Sequence, residues 1–177
     1  VVEAEDPLGH STTYTYNAAN LVLTVTDELG NQTAYTYDAN GNVLTVTDAN
    51  LNVSTYTDND KDQLVSITDA ESGTWTFAYD AVGNLVSKTN PRGKSTTYTY
   101  DNLGRLLTET DPLANVRSYA YDLAGRLVSR TDPKSQVIEY TYNDRNELTR
   151  NDYPDTSFVS FAYNDAGART QMVDSTG

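Results

Sequence analysis

The most informative segment of the sequence is Thr97-Tyr98-Thr99-Tyr100-Asp101-Asn102-Leu103-Gly104-Arg105-Leu106. Versions of it recur every 21 residues, with the residue equivalent to Tyr100 at positions 16, 37, 58, 79, 100, 121, 142 and 163. No insertion or deletion interrupts this spacing. A fixed period of this length indicates a repeat architecture, in which each repeat packs against its neighbours. The sequence therefore predicts eight 21-residue repeats that form a single array over residues 1–177.

Two aromatic residues and one turn residue define each repeat, counted from the residue equivalent to Tyr100 as position 0. Aromatic residues occupy −2 and, except at Asp58, also 0; Asp or Asn occupies +1, and Gly, Asn or Asp occupies +4. The predicted structural tyrosines are Tyr14, Tyr16, Tyr35, Tyr37, Tyr79, Tyr98, Tyr100, Tyr119, Tyr121, Tyr140, Tyr142 and Tyr163. The predicted turn glycines are Gly41, Gly83, Gly104, Gly125 and Gly167, and the other repeats carry Asn20, Asp62 and Asn146 at +4.

These turn residues predict β-hairpins. Asp or Asn followed three residues later by a residue that tolerates positive φ is typical of a type I turn closed by a G1 bulge. A second turn in each repeat, such as Asp111-Pro112-Leu113-Ala114, has the residue preferences of a type I or II turn. The segments between the turns are of strand length and rich in Thr, Tyr, Leu and Val. The predicted fold class is all-β, an antiparallel β-hairpin ribbon with two strands per repeat.

The turn also predicts the pairing register and the two faces of the ribbon. If +2 to +4 form the turn, then 0 pairs with +6 and −2 pairs with +8. Tyr98, Tyr100, Leu106 and Thr108 should then share one face. Position +9 is expected on the opposite face, where it reads Val25, Val46, Ile67, Lys88, Glu109 and Arg130.

Charge is distributed unevenly along the chain. Residues 1–87 contain one lysine and 13 acidic residues, whereas residues 88–177 contain 11 basic and 12 acidic residues. Because nucleic-acid binding needs clustered Lys and Arg, the acidic first part argues against it. The acidic residues are interpreted first as a solvated surface, and the alternative is a surface that binds a cation or a basic protein. There is no cysteine, and no apolar run approaches the length of a membrane span. The composition is typical of secreted or cell-surface proteins.

Few residues are suited to catalysis or metal binding. His10 is the only histidine, so we predict no catalytic residue and no enzyme activity. Asp58, Asp60 and Asp62 alternate as at the start of a calcium loop, although Gln63 replaces the required glycine. Calcium is the one cofactor that the sequence suggests. The tyrosine rows are also suited to stacking on sugar rings, so glycan binding is a second hypothesis beside packing within the array.

The repeats resemble the YD-repeat (RHS, rearrangement hot spot) family. The resemblance is carried by Tyr37-Asp38-Ala39-Asn40-Gly41-Asn42, Tyr79-Asp80-Ala81-Val82-Gly83-Asn84-Leu85, Tyr100-Asp101-Asn102-Leu103-Gly104-Arg105-Leu106 and Tyr121-Asp122-Leu123-Ala124-Gly125-Arg126-Leu127. The linkers Thr110-Asp111-Pro112 and Thr131-Asp132-Pro133 fit as well. The resemblance implies large secreted or surface-attached bacterial proteins, with teneurins as animal relatives. It also implies a β-ribbon that spirals into a shell, which in bacterial toxins encloses a toxic domain. This chain would form an arc of such a shell.

The sequence leaves two functional hypotheses open. The first is a non-enzymatic structural scaffold, a segment of a secreted or cell-surface RHS protein whose shell encloses or displays a toxin or other domain. Its partner would be the remainder of a larger parent chain. The second is an interaction module, either a self-assembling extracellular filament built from copies of the chain or an adhesin that binds glycans.

Overall fold

The structure, a computed structural model, describes residues 1–175 and consists of β-strands joined by short loops. Its residues divide into two compact units. The first contains Val1–Asp80 and Ser87–Lys94, and the second contains Ala81–Val86 and the residues from Ser95 onward. The single array over residues 1–177 therefore stays a prediction, and its last two residues lie outside the described range.

Each compact unit is a series of antiparallel strands in which successive strands pair. In the first unit these are β1 (Val2–Glu5), β2 (Ser11–Tyr16), β3 (Val22–Thr26), β4 (Gln32–Tyr37), β5 (Val43–Thr47), β6 (Val53–Asp58), β7 (Leu64–Thr68) and β8 (Thr74–Tyr79). Strand β9 (Leu85–Thr89) has residues in both units. The second unit continues with β10 (Ser95–Tyr100), β11 (Leu106–Thr110), β12 (Val116–Tyr121), β13 (Leu127–Thr131), β14 (Val137–Tyr142), β15 (Leu148–Asp152), β16 (Phe158–Tyr163) and β17 (Arg169–Asp174). The predicted all-β, antiparallel hairpin fold is confirmed.

The two turns of a repeat share one geometry. At the first turn, the Asp101 amide donates to the Arg105 carbonyl at 3.0 Å, and the Gly104 amide donates to the Asp101 carbonyl at 3.0 Å. At the second turn, Asp111 and Ala114 make the same two bonds. Positive φ occurs at all eight +4 residues, which confirms the prediction: Asn20, Gly41, Asp62, Gly83, Gly104, Gly125, Asn146 and Gly167. It also occurs at the seven +14 residues that the structure describes, and at Gly9, which has the equivalent place before the first repeat: Gly30, Leu51, Ser72, Gly93, Ala114, Ser135 and Thr156.

At the start of most turns, an Asp or Asn side chain holds the turn closed. Asp101 Oδ1 accepts hydrogen bonds from the amides of Leu103 at 2.9 Å and Arg105 at 3.0 Å. These backbone donors are the main reason that the pKa of Asp101 lies below its usual value. The same pair of bonds forms at Asp27, where the side chain of Asn31 adds a third. The preference for Asp and Asn at +1 and +11 therefore reflects turn closure.

The strand pairing of each hairpin agrees with the predicted register only at the pair of position 0 with +6, next to the turn. Tyr100 pairs with Leu106 as predicted, but Thr99 pairs with Thr108 and Tyr98 pairs with Glu109. A β-bulge makes +7 an extra residue between these pairs. The same shift occurs at Tyr16, Tyr37, Asp58, Tyr121, Tyr142 and Tyr163. The predicted pairing of −2 with +8 is wrong because the turn residues do not specify a bulge that lies beyond the turn.

The bulge changes which residues share a face. Thr99 and Thr108 lie on one face, which we call the threonine face, and their hydroxyls are 2.6 Å apart. The expectation that +9 lies opposite the aromatic residues is also wrong, because +9 is the cross-strand partner of the −2 aromatic. We call the face of −2, 0, +6 and +9 the aromatic face. Its −2/+9 pairs include Tyr14–Val25, Tyr35–Val46, Tyr56–Ile67, Tyr98–Glu109 and Tyr119–Arg130.

Neither compact unit has a covered core. Within residues 1–175, no side chain is fully buried. On β8, Trp75, Phe77 and Tyr79 of the aromatic face are half-buried, whereas the residues between them are exposed. Each unit is therefore one layer of sheet, and its stability depends on contacts within the layer.

Leu51 provides a test of the turn geometry, because it adopts φ of 66° and its side chain is 81% exposed. A left-handed conformation costs a residue with a Cβ about 1–2 kcal/mol. Glycine avoids this cost, but its more flexible unfolded state offsets part of the gain. We expect Leu51→Gly to raise the free energy of unfolding by about 1 kcal/mol, measured by denaturant titration. Leu51→Ala keeps the Cβ and should leave stability nearly unchanged. Equal stability of the two variants would contradict strain at +14.

Candidate functional site

Adjacent repeats are joined by a hydrogen bond from the position 0 tyrosine. The Tyr37 hydroxyl donates to the carbonyl of Val22, the +6 residue of the preceding repeat, at 2.7 Å. Equivalent bonds of 2.8–3.1 Å join Tyr79 to Leu64, Tyr100 to Leu85, Tyr121 to Leu106, Tyr142 to Leu127 and Tyr163 to Leu148. A tyrosine at 0 thus serves as a link between repeats as well as a packing residue.

The bulge explains why this carbonyl accepts a side chain. In the pairing of β3 with β4, the backbone ladder begins at Thr24, so Val22 lies beyond its end. The hydroxyl of Tyr37 takes the place of a backbone donor there. Sequence reasoning missed this role. A signal was present, since Phe77 and Phe161 replace tyrosine at −2 whereas no phenylalanine occurs at 0.

Arginine at +5 adds a second link between repeats in the second compact unit. Arg105 binds the carboxylate of Asp101 at 2.6 Å, and its guanidinium lies 4.8 Å from the centre of the Tyr121 ring. It also donates to the Asp122 carbonyl at 3.2 Å. Arg126 makes the same three contacts with Asp122, Tyr142 and Asn143. Each arginine therefore connects its own turn to the aromatic row of the next repeat.

The aromatic face changes character along the chain. In the first compact unit, Val25, Val46 and Ile67 lie beside tyrosines and make it apolar. The Lys88 ammonium lies 4.9 Å from the centre of the Trp75 ring, which fits its place on this face. In the second unit, Glu109 binds Arg117 of the adjacent strand at 2.8 Å. Glu109 thus has its ion-pair partner on the adjacent strand.

A pocket of about 530 Å³ lies at one edge of the aromatic face in the second compact unit. Its lining includes Arg130, Ile138, Tyr153, Asp132, Asp155 and Gln136. Tyr153 occupies +11, where the other turns have Asp or Asn. The Nε atom of Arg130 is shielded from solvent and has no hydrogen-bond partner in the described residues. The pocket is therefore lined by an arginine and a tyrosine ring beside two aspartates.

The three aspartates of the calcium hypothesis have different surroundings. Asp58 ends β6, and Asp62 occupies the left-handed position of the following turn. Asp62 Oδ1 accepts hydrogen bonds from the side chains of Asn40 at 2.9 Å and Asn42 at 2.7 Å. Over residues 1–175, no group of three or more His, Cys, Asp and Glu side chains is arranged to hold a metal ion. The geometry gives the calcium hypothesis no support.

His10 takes part in a surface contact between turns. Its Nδ1 lies 3.0 Å from Asp6 Oδ2, and its Nε2 lies 3.5 Å from Glu28 Oε2. The ring is about half exposed. In the part of the chain that the structure describes, no helix has the length and apolar character needed to cross a membrane.

The pattern of Tyr-Asp turns, antiparallel hairpins and inter-repeat tyrosine bonds defines a β-hairpin repeat protein of the YD type. A family model described as Teneurin YD-shell matches residues 6–175. Because the match spans nearly the whole chain, the chain belongs to the Teneurin YD-shell family, a structural shell fold. The resemblance to YD-repeat proteins predicted from the sequence is confirmed.

Solved structures with the same fold come from Tc toxins. The crystal structure of TcdB2-TccC3 without its hypervariable C-terminal region matches 97% of this chain with 14% identity and a TM-score of 0.54. A Tc holotoxin pore from Photorhabdus luminescens matches 93% with 17% identity and a TM-score of 0.52. In both cases the chain spans 13% of the length of the matched chain. A search among curated protein sequences found no match.

The inter-repeat tyrosine bond is tested by removing one hydroxyl. Tyr37→Phe deletes the donor to Val22 and keeps the ring, so we expect a loss of about 1 kcal/mol in the free energy of unfolding. Tyr35→Phe is the matched control, because no bond from the Tyr35 hydroxyl occurs among the described residues. Denaturant titration of both variants gives the comparison. Equal losses would mean that the hydroxyl of Tyr37 does not join the repeats.

Because the pKa values of turn aspartates are lowered in the folded protein, we expect the protein to lose stability in acid. Hydrogen bonds from Asn31, Asn52 and Asn115 are the largest cause of the lowered pKa values of Asp27, Asp48 and Asp111. Because folding lowers these pKa values, their stabilisation is present above the unfolded value of about 3.9 and is lost as pH falls through the folded values.

The control variant keeps the turn hydrogen bonds but replaces the three titrating carboxylates with amides. In a triple variant with Asp27→Asn, Asp48→Asn and Asp111→Asn, the amide oxygens still accept the turn amides, as at Asn17 and Asn90. Between pH 5 and pH 3 we expect this variant to lose less stability than the wild type, measured by denaturant titration. Identical losses in both proteins would refute the assignment.

Proposed function

We propose that the chain is a non-enzymatic segment of a β-shell wall that encloses or displays another polypeptide. The observation that carries the proposal is the one-layer construction of each compact unit, which has hydrogen-bonded links from repeat to repeat and no covered core. Such a sheet has two accessible faces and suits a wall. Membership of the Teneurin YD-shell family supports the same function.

The wall would belong to a larger secreted or cell-surface protein. The matched Tc toxin chains are far longer than this chain, which spans 13% of their length. One matched structure is a Tc holotoxin pore, and enclosure of a toxic domain is the corresponding role that we propose for the parent of this chain. The apolar aromatic face of the first compact unit is suited to contact with an enclosed polypeptide.

The oligomeric state of the isolated chain distinguishes a wall segment from a self-assembling filament. Among the described residues, β1 pairs with β2 and β17 pairs with β16, so under either proposal the isolated chain presents strand edges that a second copy could pair with. For a wall segment, we expect a monomer of 19.5 kDa by size-exclusion chromatography with light scattering over a wide concentration range. Mass that grows with concentration, together with fibres in electron micrographs, would instead support the filament.

The pocket at Arg130 favours a second candidate function, recognition of an acidic glycan. Its volume of about 530 Å³ is within the range of small-molecule sites. The Arg130 guanidinium would bind the carboxylate of a uronic acid, and the Tyr153 ring would pack against the sugar ring. Asp132, Asp155 and Gln136 would accept or donate bonds to hydroxyl groups.

Saturation-transfer NMR with glucuronic acid and glucose tests this second function. Signal for glucuronic acid, weaker signal for glucose, and loss of both in Tyr153→Ala would support it. Arg130→Gln should abolish the preference for the acid. If neither sugar gives a signal with the wild type, the pocket is not a site for acidic sugars.

A further inference from the structure

We propose that the aromatic face of the first compact unit contains a docking site for a lysine side chain, with Asp58 as the counter-ion. The site, which we call the Asp58 socket, is a pocket of about 350 Å³ lined by Asn42, Val43, Val46, Tyr56, Asp58 and Leu64. It lies where the repeat at 58 has aspartate in place of the position 0 tyrosine. The proposal deepens the shell function and rests on it for its biological meaning.

The socket arises because one inter-repeat bond is missing. The Tyr37 hydroxyl reaches the Val22 carbonyl, and the Tyr79 hydroxyl reaches the Leu64 carbonyl, at 2.7 and 2.9 Å. The equivalent carbonyl between them belongs to Val43, and the side chain that should reach it is Asp58. Because aspartate is shorter than tyrosine by most of a phenol ring, the space that the ring occupies in neighbouring repeats is left open.

The polar groups of the Asp58 socket favour a cationic hydrogen-bond donor. Both the Asp58 carboxylate and the Val43 carbonyl are hydrogen-bond acceptors, so they cannot bond to each other. Within residues 1–175, the half-buried Asp58 carboxylate makes no hydrogen bond or ion pair. An ammonium group has several donors and would bond to both oxygens at once. It would therefore replace the missing tyrosine hydroxyl and neutralise the carboxylate.

The apolar lining of the Asp58 socket favours an ammonium group at the end of an alkyl chain. Val43, Val46 and Leu64 are aliphatic and Tyr56 is aromatic, so they suit the methylene groups of a lysine side chain. The adjacent pairs Tyr35–Val46 and Tyr56–Ile67 continue the apolar surface along the face, which suits a peptide that lies across it. Residues 1–87 carry one lysine and 13 acidic residues, so the surrounding charge attracts a basic segment.

Binding is tested on the whole chain with Nα-acetyl-lysine methylamide as the probe. We expect chemical-shift changes at Val43, Val46 and Leu64, and no such changes with the norleucine analogue, which lacks the ammonium. Asp58→Asn preserves the shape and removes the charge, so the probe should bind about tenfold more weakly. Asp58→Tyr should fill the socket, abolish binding and raise the melting temperature by about 2–4 °C.

A double variant that transfers the aspartate to the preceding repeat is the control for indirect effects, because it should create an equivalent pocket there. The double variant Asp58→Tyr with Tyr37→Asp should lose the shifts at Val43 and gain them at Val22. Equal responses to the lysine and norleucine probes, or unchanged binding in Asp58→Asn, would overturn the role of Asp58. A monomeric chain that fails these tests would leave the shell function intact and refute the socket alone.

The source of the ammonium is tested separately. A ten-residue extended peptide with one central lysine should bind at least as tightly as the single-residue probe, because it also covers the apolar surface beside the socket. If 1,5-diaminopentane binds and the peptide does not, the site is for a small amine and the polypeptide assignment is wrong.

Discussion

The hydrogen bond from the position 0 tyrosine to the +6 carbonyl of the preceding repeat holds successive repeats together. Since neither compact unit has a covered core, stability has to come from contacts between neighbouring strands. The bulge at +7 ends the backbone ladder before +6, and the tyrosine supplies the donor that the ladder does not. One side chain therefore fills the aromatic row and joins two repeats.

The repeat at 58 shows the effect of replacing this tyrosine. Asp58 keeps its place at the end of β6 and its pairing with Leu64, so the hairpin itself survives the substitution. The link to the Val43 carbonyl and the filling of the aromatic row are lost. Only this repeat departs from the pattern that its neighbours keep. At such a position, we expect that a functional constraint outweighs the loss of stability.

The sequence predicted the hairpins well because their determinants are local. Gly104 and its equivalents specify a positive φ, and the pairing of Tyr100 with Leu106 follows from the turn. The bulge at Leu107 has no comparable signature, so the face of Glu109 was predicted wrongly. The links through Tyr121 and Arg105 depend on how one repeat lies against the next, which the spacing within a repeat does not reveal. The hydrogen bonds from Asn40 and Asn42 to the carboxylate of Asp62 also come from the preceding repeat, so the spacing of the aspartates did not reveal them.

Native-state hydrogen exchange tests the central claim most directly, because it measures local opening at each strand pair. Amides at the β5–β6 pair, such as Val46 and Ser54, have no tyrosine bond beside them. Those at the β3–β4 and β7–β8 pairs, such as Val25 and Trp75, have one. We expect exchange several-fold faster at β5–β6 than at either flanking pair, and restoration of protection by Asp58→Tyr. Uniform protection across the three pairs would contradict it.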